Sequence, residues 1–210
     1  MLAQFIARQL RNPSGVFGRH VMTRMLNTGN RELIDSTLEA LRLEPNDTLL
    51  DIGFGGGYAL MRAFELAADL QAFGIDRSPE TVLYAHGYCR TRVLEGRLRL
   101  LVSDVERLPF RSGLFTKIVT TNTLYFWAAP EIALAAIRGV LAVGGRIALG
   151  YSGAQKMQEY PALTQHGFQA YDPERVAELL EAAEFAEVHT DMLHGKRTTG
   201  DYVTTAVRTG

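Results

Sequence analysis

The stretch DIGFGGGYAL, residues 51–60, places four glycines behind the apolar run TLLDI. The apolar run predicts a buried strand, and the residues after the glycines predict a helix. A strand, a glycine-rich turn and a helix bring backbone N–H groups and a helix N-terminus next to a bound group. The stretch therefore predicts an α/β fold with a ligand close to this backbone, and the next question is which ligand.

The glycine spacing excludes two common nucleotide motifs. The dinucleotide motif G-x-G-x-x-G, counted from Gly53 and Gly55, requires a third glycine where Tyr58 stands. The Gly-Lys-Ser/Thr ending of the NTPase phosphate loop is absent. The pattern acid-x-Gly-x-Gly-x-Gly does fit, with Asp51 as the acid and Gly57 as the last glycine. It resembles the first motif of class I S-adenosylmethionine-dependent methyltransferases.

Two further acids follow the next predicted strands. Asp76 ends the second strand in AFGIDRS, where a carboxylate accepts two hydrogen bonds from ribose hydroxyls; NAD-binding folds place an acid there too. Asp104 ends the third strand in LLVSDVERLPF. The chain resembles methyltransferases of the ubiquinone/menaquinone-biosynthesis type, and this implies that Asp104 binds the adenine amino group and that the Val105 N–H meets the ring. The alternative is that such acids cap the following helices. The predicted cofactor-binding residues are Asp51, Gly53, Gly55, Gly57, Asp76, Arg77, Asp104, Val105 and Asn122.

The order of elements predicts a doubly wound, Rossmann-like α/β fold. Short β-rich runs alternate with helical runs, as a mostly parallel seven-stranded sheet requires. The connection HGKRTTG is too short for a helix, so the last two strands should pair antiparallel. We expect one domain, 1–210, with 1–42 as a helical cap. The predicted strands are 48–53, 71–75, 97–102, 116–121, 145–150, 185–192 and 201–208, and the helices are 2–11, 17–28, 30–42, 58–69, 79–94, 130–141 and 173–184.

The catalytic residues are not assigned by the sequence. A sulfonium methyl donor is already activated, so alignment of the nucleophile is the main requirement, and a general base helps only a weakly acidic nucleophile. Members of the resembled family often carry histidines after strand four, where this chain has TNTLYFW. The candidates for a base are His20, Tyr125, His166, Tyr151 and Tyr171.

Charge and composition limit the binding partners and the cellular location that we expect. The formal net charge of −1 does not favour nucleic acid, and the single cysteine, Cys89, agrees with a cytoplasmic protein and argues against a multi-thiolate metal site. The N-terminal helix is amphipathic, and the first 31 residues carry five arginines and no acid. This segment allows a peripheral membrane or lipid contact and loosely resembles phospholipid N-methyltransferases.

These patterns predict an S-adenosylmethionine-dependent methyltransferase that acts on an N, O or C atom of a small organic acceptor. Three alternatives stay open: a phospholipid or other lipid N-methyltransferase, a non-catalytic module that binds the cofactor, and an NAD(P)-dependent oxidoreductase. The last would need a Tyr-x-x-x-Lys pair, and Tyr151 and Lys156 are one residue too far apart. The acceptor and the oligomeric state are not predicted.

Overall fold

The computed structural model describes residues 30–158, 169–195 and 197–210. The predicted helices 2–11 and 17–28, with His20 and His166, lie outside these ranges. The described helices are α1 (Arg31–Leu41), α2 (Tyr58–Leu66), α3 (Pro79–Tyr88), α4 (Arg90–Leu94), α5 (Pro130–Val140), α6 (Ala154–Gln158) and α7 (Pro173–Ala182), with a 3-10 turn at Leu124–Phe126. The strands are β1 (Thr48–Ile52), β2 (Gln71–Asp76), β3 (Leu98–Val102), β4 (Phe115–Thr121), β5 (Leu141–Ser152), β6 (Phe185–Met192) and β7 (Asp201–Arg208).

All seven strands form one sheet in the order β3-β2-β1-β4-β5-β7-β6. The pairs from β3 to β5 are parallel, and β7 runs antiparallel to both β5 and β6. The predicted doubly wound sheet with an antiparallel last strand is confirmed. The chain builds outward from β1 to β3 and then returns to β4 on the other side of β1. Parallel sheets bind ligands at such a reversal, outside the carboxyl ends of the two strands.

Helices cover both faces of the sheet, and the strand residues alternate between them. Leu50 and Ile118 belong to the apolar cluster that includes α5 and α7. Their chain neighbours Leu49 and Val119 belong to the second cluster, with α1 and α2. This is the period of two expected for strands that are buried on both faces. The packing fixes the register of β1 against β4, and with it the relative positions of the residues that follow the two strands.

Several elements differ from the sequence prediction, and the predicted helix 58–69 ends at Leu66. The predicted helix 79–94 is two helices, because the backbone leaves the helical conformation at Cys89, whose thiol is buried against Gly57. Strand β5 starts earlier than predicted because Leu141 pairs with Phe115 before an irregularity in the ladder. Helix α6 was not predicted. Within the described residues, no helix has the length and apolar character needed to span a bilayer.

Candidate active site

The glycine turn after β1 contains three glycines with positive φ, and they differ in how much space surrounds the position of a Cβ atom. A Cβ on Gly53 (φ 71°) would collide with the side chain of Thr123, which follows β4. A Cβ on Gly57 (φ 84°) would lie 2.8 Å from Sγ of Cys89. A Cβ on Gly55 (φ 53°) would meet nothing closer than a backbone oxygen at 4.0 Å. The turn is therefore packed on two sides and open at Gly55, which is the side available to a ligand.

Asp76, at the end of β2, is tied to this turn. Its Oδ2 accepts a hydrogen bond from the Gly55 N–H at 3.3 Å, and its Oδ1 accepts one from the Ser78 N–H at 2.9 Å. Burial raises the pKa of Asp76 to about 6, and these two backbone donors act in the opposite direction. Each carboxylate oxygen keeps acceptor capacity for a further donor. The side chain thus suits a pair of adjacent hydroxyls beside the open turn.

Asp51, inside β1, is a buried carboxylate with an unsatisfied oxygen. It is 3% exposed, and Oδ2 has no hydrogen-bond partner among the described residues. Burial, and secondarily the charge of Asp76, raise its pKa to about 8. Buried polar atoms are nearly always hydrogen-bonded in folded proteins. A ligand with a cationic N–H donor would satisfy this oxygen and favour the ionised carboxylate.

The segment after β3 brings Arg77 and Asp104 together. Arg77 Nη2 lies 3.6 Å from Oδ2 of Asp104, both about half exposed, and Asp104 Oδ1 accepts the Glu106 N–H at 3.2 Å. Glu106 in turn accepts the N–H of Ala129, ahead of α5, at 3.0 Å. Sequence reasoning missed Glu106, although it stands in the quoted LLVSDVERLPF stretch. This contact connects the turn after β3 to the loop after β4.

Asn122 follows β4 directly. It lies on the opposite side from Gly53 of the point where the strand order reverses, between β1 and β4. Its φ is 56°, its N–H donates to the Gly150 carbonyl at 2.8 Å, and its Oδ1 accepts the Tyr125 hydroxyl at 3.0 Å. The structure therefore gathers the nine predicted cofactor-binding residues at one edge of the sheet, in or directly after β1 to β4. Over the described ranges, no three His, Cys, Asp or Glu side chains are grouped to hold a metal ion.

A strand-turn-helix open at one glycine, flanked by carboxylates at successive strand ends, has the shape of a nucleoside site. Residues 50–149 match the sequence profile of the family described as methyltransferase domain. Residues 50–149, just under half of the chain, are thus similar to a methyltransferase domain. The matched region runs from Leu50 in β1 to Leu149 in β5 and contains all nine predicted cofactor-binding residues.

Curated proteins related to this methyltransferase domain match over part of their length. An uncharacterized methyltransferase of Bacillus subtilis, YdaC, is 26% identical over 120 residues, which are 57% of this chain and 64% of that protein. The demethylmenaquinone methyltransferase of Thermus thermophilus is 29% identical over 132 residues, 60% of this chain and 57% of that protein. The chain thus spans less than two thirds of these relatives.

Among solved structures, the fold is similar to that in a complex between the Haloferax volcanii Trm112 methyltransferase activator and a methyltransferase. The TM-score is 0.83 at 20% identity, with 92% of this chain and 96% of that chain covered. At this identity the likeness concerns the fold alone. The predicted family of S-adenosylmethionine-dependent methyltransferases, and with it the cofactor, is confirmed by the family match and the fold.

The described tyrosine candidates for a general base are all buried. The Tyr125 hydroxyl contacts Asn122 and Ser152, and burial holds its pKa well above the ordinary value. Tyr151 is bonded to Thr204, and burial raises its pKa to about 12. Burial also raises the pKa of Tyr171. A phenol with a raised pKa keeps its proton at neutral pH, so the phenolate that could act as a base is scarcely populated, and these residues do not account for proton removal.

The buried Asp51 predicts a pH-dependent stability of the ligand-free protein. Its pKa rises from 3.8 to about 8 on folding, so between these values the folded protein holds a proton that the unfolded chain releases. The free energy of unfolding then falls as pH rises, by up to about 1.4 kcal/mol per pH unit. Between pH 6 and 8, the melting temperature should fall several degrees further in the wild type than in Asp51→Asn, measured by scanning calorimetry. Parallel curves for the two proteins would contradict this assignment.

Proposed function

We propose that this protein transfers the methyl group of S-adenosylmethionine to an N, O or C atom of a small organic acceptor. The single observation that carries the proposal is the grouping of Asp51, Asp76 and Asp104 around a glycine turn whose open side is Gly55. In this assignment Asp76 accepts the two ribose hydroxyls, and Asp104 and the Val105 N–H meet adenine. Asp51 accepts the amino group of the methionine part.

The chain's own groups then supply binding and alignment. The sulfonium of the bound donor supplies an activated methyl carbon, so that attack by an acceptor lone pair breaks the carbon–sulfur bond and leaves S-adenosylhomocysteine. Tyr125 and Trp127 belong to the loop after β4, and both are buried in the core. Their burial keeps this loop in place against the glycine turn. A fixed, water-poor approach to the methyl carbon accounts for rate enhancement without a protein base.

A small acceptor is supported by the relatives rather than by a pocket shape. The Thermus thermophilus relative is named for methylation of demethylmenaquinone, a small molecule. The lipid alternative depends on the arginine-bearing N-terminal segment, which lies outside the described residues. The oxidoreductase and the non-catalytic binding module would use the same nucleoside-shaped crevice. The ligand that binds distinguishes the oxidoreductase, and the absence of turnover distinguishes the non-catalytic module.

Ligand-induced stabilisation is the first test of this function. S-adenosylhomocysteine at 100 times its dissociation constant should stabilise the fold by about 2.7 kcal/mol. For a chain of this size, that corresponds to a rise in melting temperature of roughly 5–10 °C. NAD+ at the same concentration should leave the melting temperature unchanged. Stabilisation by NAD+ alone would favour the oxidoreductase reading instead.

Turnover is tested with a methyl-labelled donor and fractionated small-molecule extracts. We expect label to appear in an organic-soluble or low-mass product, together with stoichiometric S-adenosylhomocysteine, and to disappear in Asp76→Ala. Donor binding without label transfer across broad panels of amines, phenols and carbon acids would identify a non-catalytic binding module.

A further inference from the structure

A series of hydrogen bonds leads from Asn122 to β5 and β7, two strands that contain none of the predicted cofactor-binding residues. The Tyr125 hydroxyl lies 3.0 Å from Oδ1 of Asn122. The same hydroxyl oxygen accepts the backbone N–H of Ser152, the last residue of β5. Tyr125 is 4% exposed, so water does not compete for these bonds. The loop after β4 is thereby fastened to the end of β5.

The far end of this series of hydrogen bonds is an ion pair whose carboxylate is buried and whose lysine is half-buried. Ser152 Oγ donates to Oδ1 of Asp201 at 2.6 Å, and Lys156 Nζ donates to the same oxygen at 2.7 Å. Asp201 is 4% exposed, and Lys156 also donates to the Arg197 carbonyl at 2.9 Å. Removing one member of a buried pair leaves the other charge uncompensated, which makes the arrangement hard to displace. Ser152 is therefore held at both its backbone and its side chain.

The polarity of these bonds determines which end of the Asn122 amide faces Tyr125. Because the phenolic oxygen already accepts the Ser152 N–H, its own hydrogen faces two acceptors, Oδ1 of Asn122 at 3.0 Å and the Ser152 carbonyl oxygen at 3.2 Å, and of the two ends of the Asn122 amide only the oxygen accepts a hydrogen. The amide N–H2 group is then directed away from Tyr125. Asn122 borders the chain reversal, since the next residue, Thr123, is the one that a Cβ on Gly53 would strike. An N–H2 donor at this place suits a carboxylate.

We propose that Tyr125 is a positioning residue, held by Ser152 and the Lys156–Asp201 pair, that orients the Asn122 amide to donate to the carboxylate at the amino-acid end of the bound cofactor. The inference rests on the proposed function, because it takes the cofactor to occupy this crevice. It assigns to residues of β5, α6 and β7 a part in recognising one end of the methyl donor. The adenosine end, by contrast, is bound without them.

Two ligands separate this role from a general structural one. S-adenosylhomocysteine carries the amino-acid end, whereas 5′-methylthioadenosine has the same nucleoside and sulfur and lacks it. Tyr125→Phe should weaken S-adenosylhomocysteine binding about five- to tenfold in calorimetry, as expected for one mispositioned hydrogen bond to a charged group. Its affinity for 5′-methylthioadenosine should stay within about twofold of wild type. Asn122→Ala should show the same selectivity, and the double variant should lose little more than Asn122→Ala.

Tyr151→Phe is the matched control. It deletes a buried hydroxyl from the residue before Ser152, but that hydroxyl bonds to Thr204 and not to Asn122. Both ligands should bind this variant as they bind the wild type. If Tyr125→Phe is too unstable to measure, Asn122→Ala alone decides, because its side chain lies at the edge.

Equal losses for the two ligands, or no loss for S-adenosylhomocysteine in either variant, would overturn the proposal. A different result is expected if the crevice does not take the methyl donor at all, since the wild-type protein would then bind neither ligand; a non-catalytic module would bind both and is distinguished by the turnover assay.

Discussion

Asp76→Ala is expected to weaken S-adenosylhomocysteine binding roughly 100-fold or more, measured by calorimetry at pH 7.5. Wild-type Asp76 is ionised at that pH, because its pKa is about 6. Two charge-assisted hydrogen bonds to ribose hydroxyls are lost, at about 1.5–3 kcal/mol each. The variant also loses the acceptor of the Gly55 N–H. Removal of a buried charge offsets part of that cost, so the melting temperature should change little.

Two further variants sharpen this result. Asp76→Asn keeps one carbonyl oxygen and should fall between the wild type and the alanine variant. Asp191→Ala removes an exposed acid near the end of β6 whose contact is with His189. It should leave ligand affinity unchanged. Unaltered affinity in Asp76→Ala would remove Asp76 from the site.

Gly55→Ala is expected to lose ligand affinity, whereas Gly53→Ala is expected to lose stability. The added methyl at Gly55 enters the open side of the turn, so ligand affinity should drop roughly 100-fold, while the positive φ costs only about 1–2 kcal/mol of stability. The methyl at Gly53 collides with Thr123, so this variant should lose about 3 kcal/mol or more and melt several degrees lower. Denaturation and calorimetry on the same samples separate the two effects.

The chain offers controls for both substitutions. Gly144 has a φ of 76° with nothing within 4 Å of its Cβ position, so Gly144→Ala reports the conformational cost alone. Thr123→Ser removes the methyl that Gly53→Ala would strike, and it should restore part of the stability of Gly53→Ala. A Gly55→Ala protein that binds the cofactor normally would show that the open side of the turn is not the ligand side.

The sequence contained enough information to place the residues of the proposed cofactor site at one edge of the sheet, because its signals are local. Asp51, Asp76 and Asp104 each stand at or near the end of an apolar run, and parallel strands bring such ends to one edge. The three glycines occur within five residues, so their spacing was readable without any long-range contact. The antiparallel pairing of the last two strands followed in the same way from the length of their connection.

The rest of the site depends on contacts between distant parts of the chain. Asp201 meets Ser152 only because β7 inserts between β5 and β6, and a single chain shows no period or motif that announces such a pairing. The contact of Glu106 with Ala129 likewise joins two loops. The helix break at Cys89 reflects tertiary packing against Gly57, which overrides the local helical pattern.

The strand order also divides the edge of the sheet by chain segment. The ends of β1, β2 and β3 stand on one side of the reversal, and those of β4 and β5 with the start of β7 stand on the other. One side comes from a compact run of about fifty residues, and the other from segments scattered over the remainder. In the proposed function, mutations on the scattered side would leave the nucleoside contacts intact. Related proteins with this architecture could therefore change the acceptor while they keep the same methyl donor.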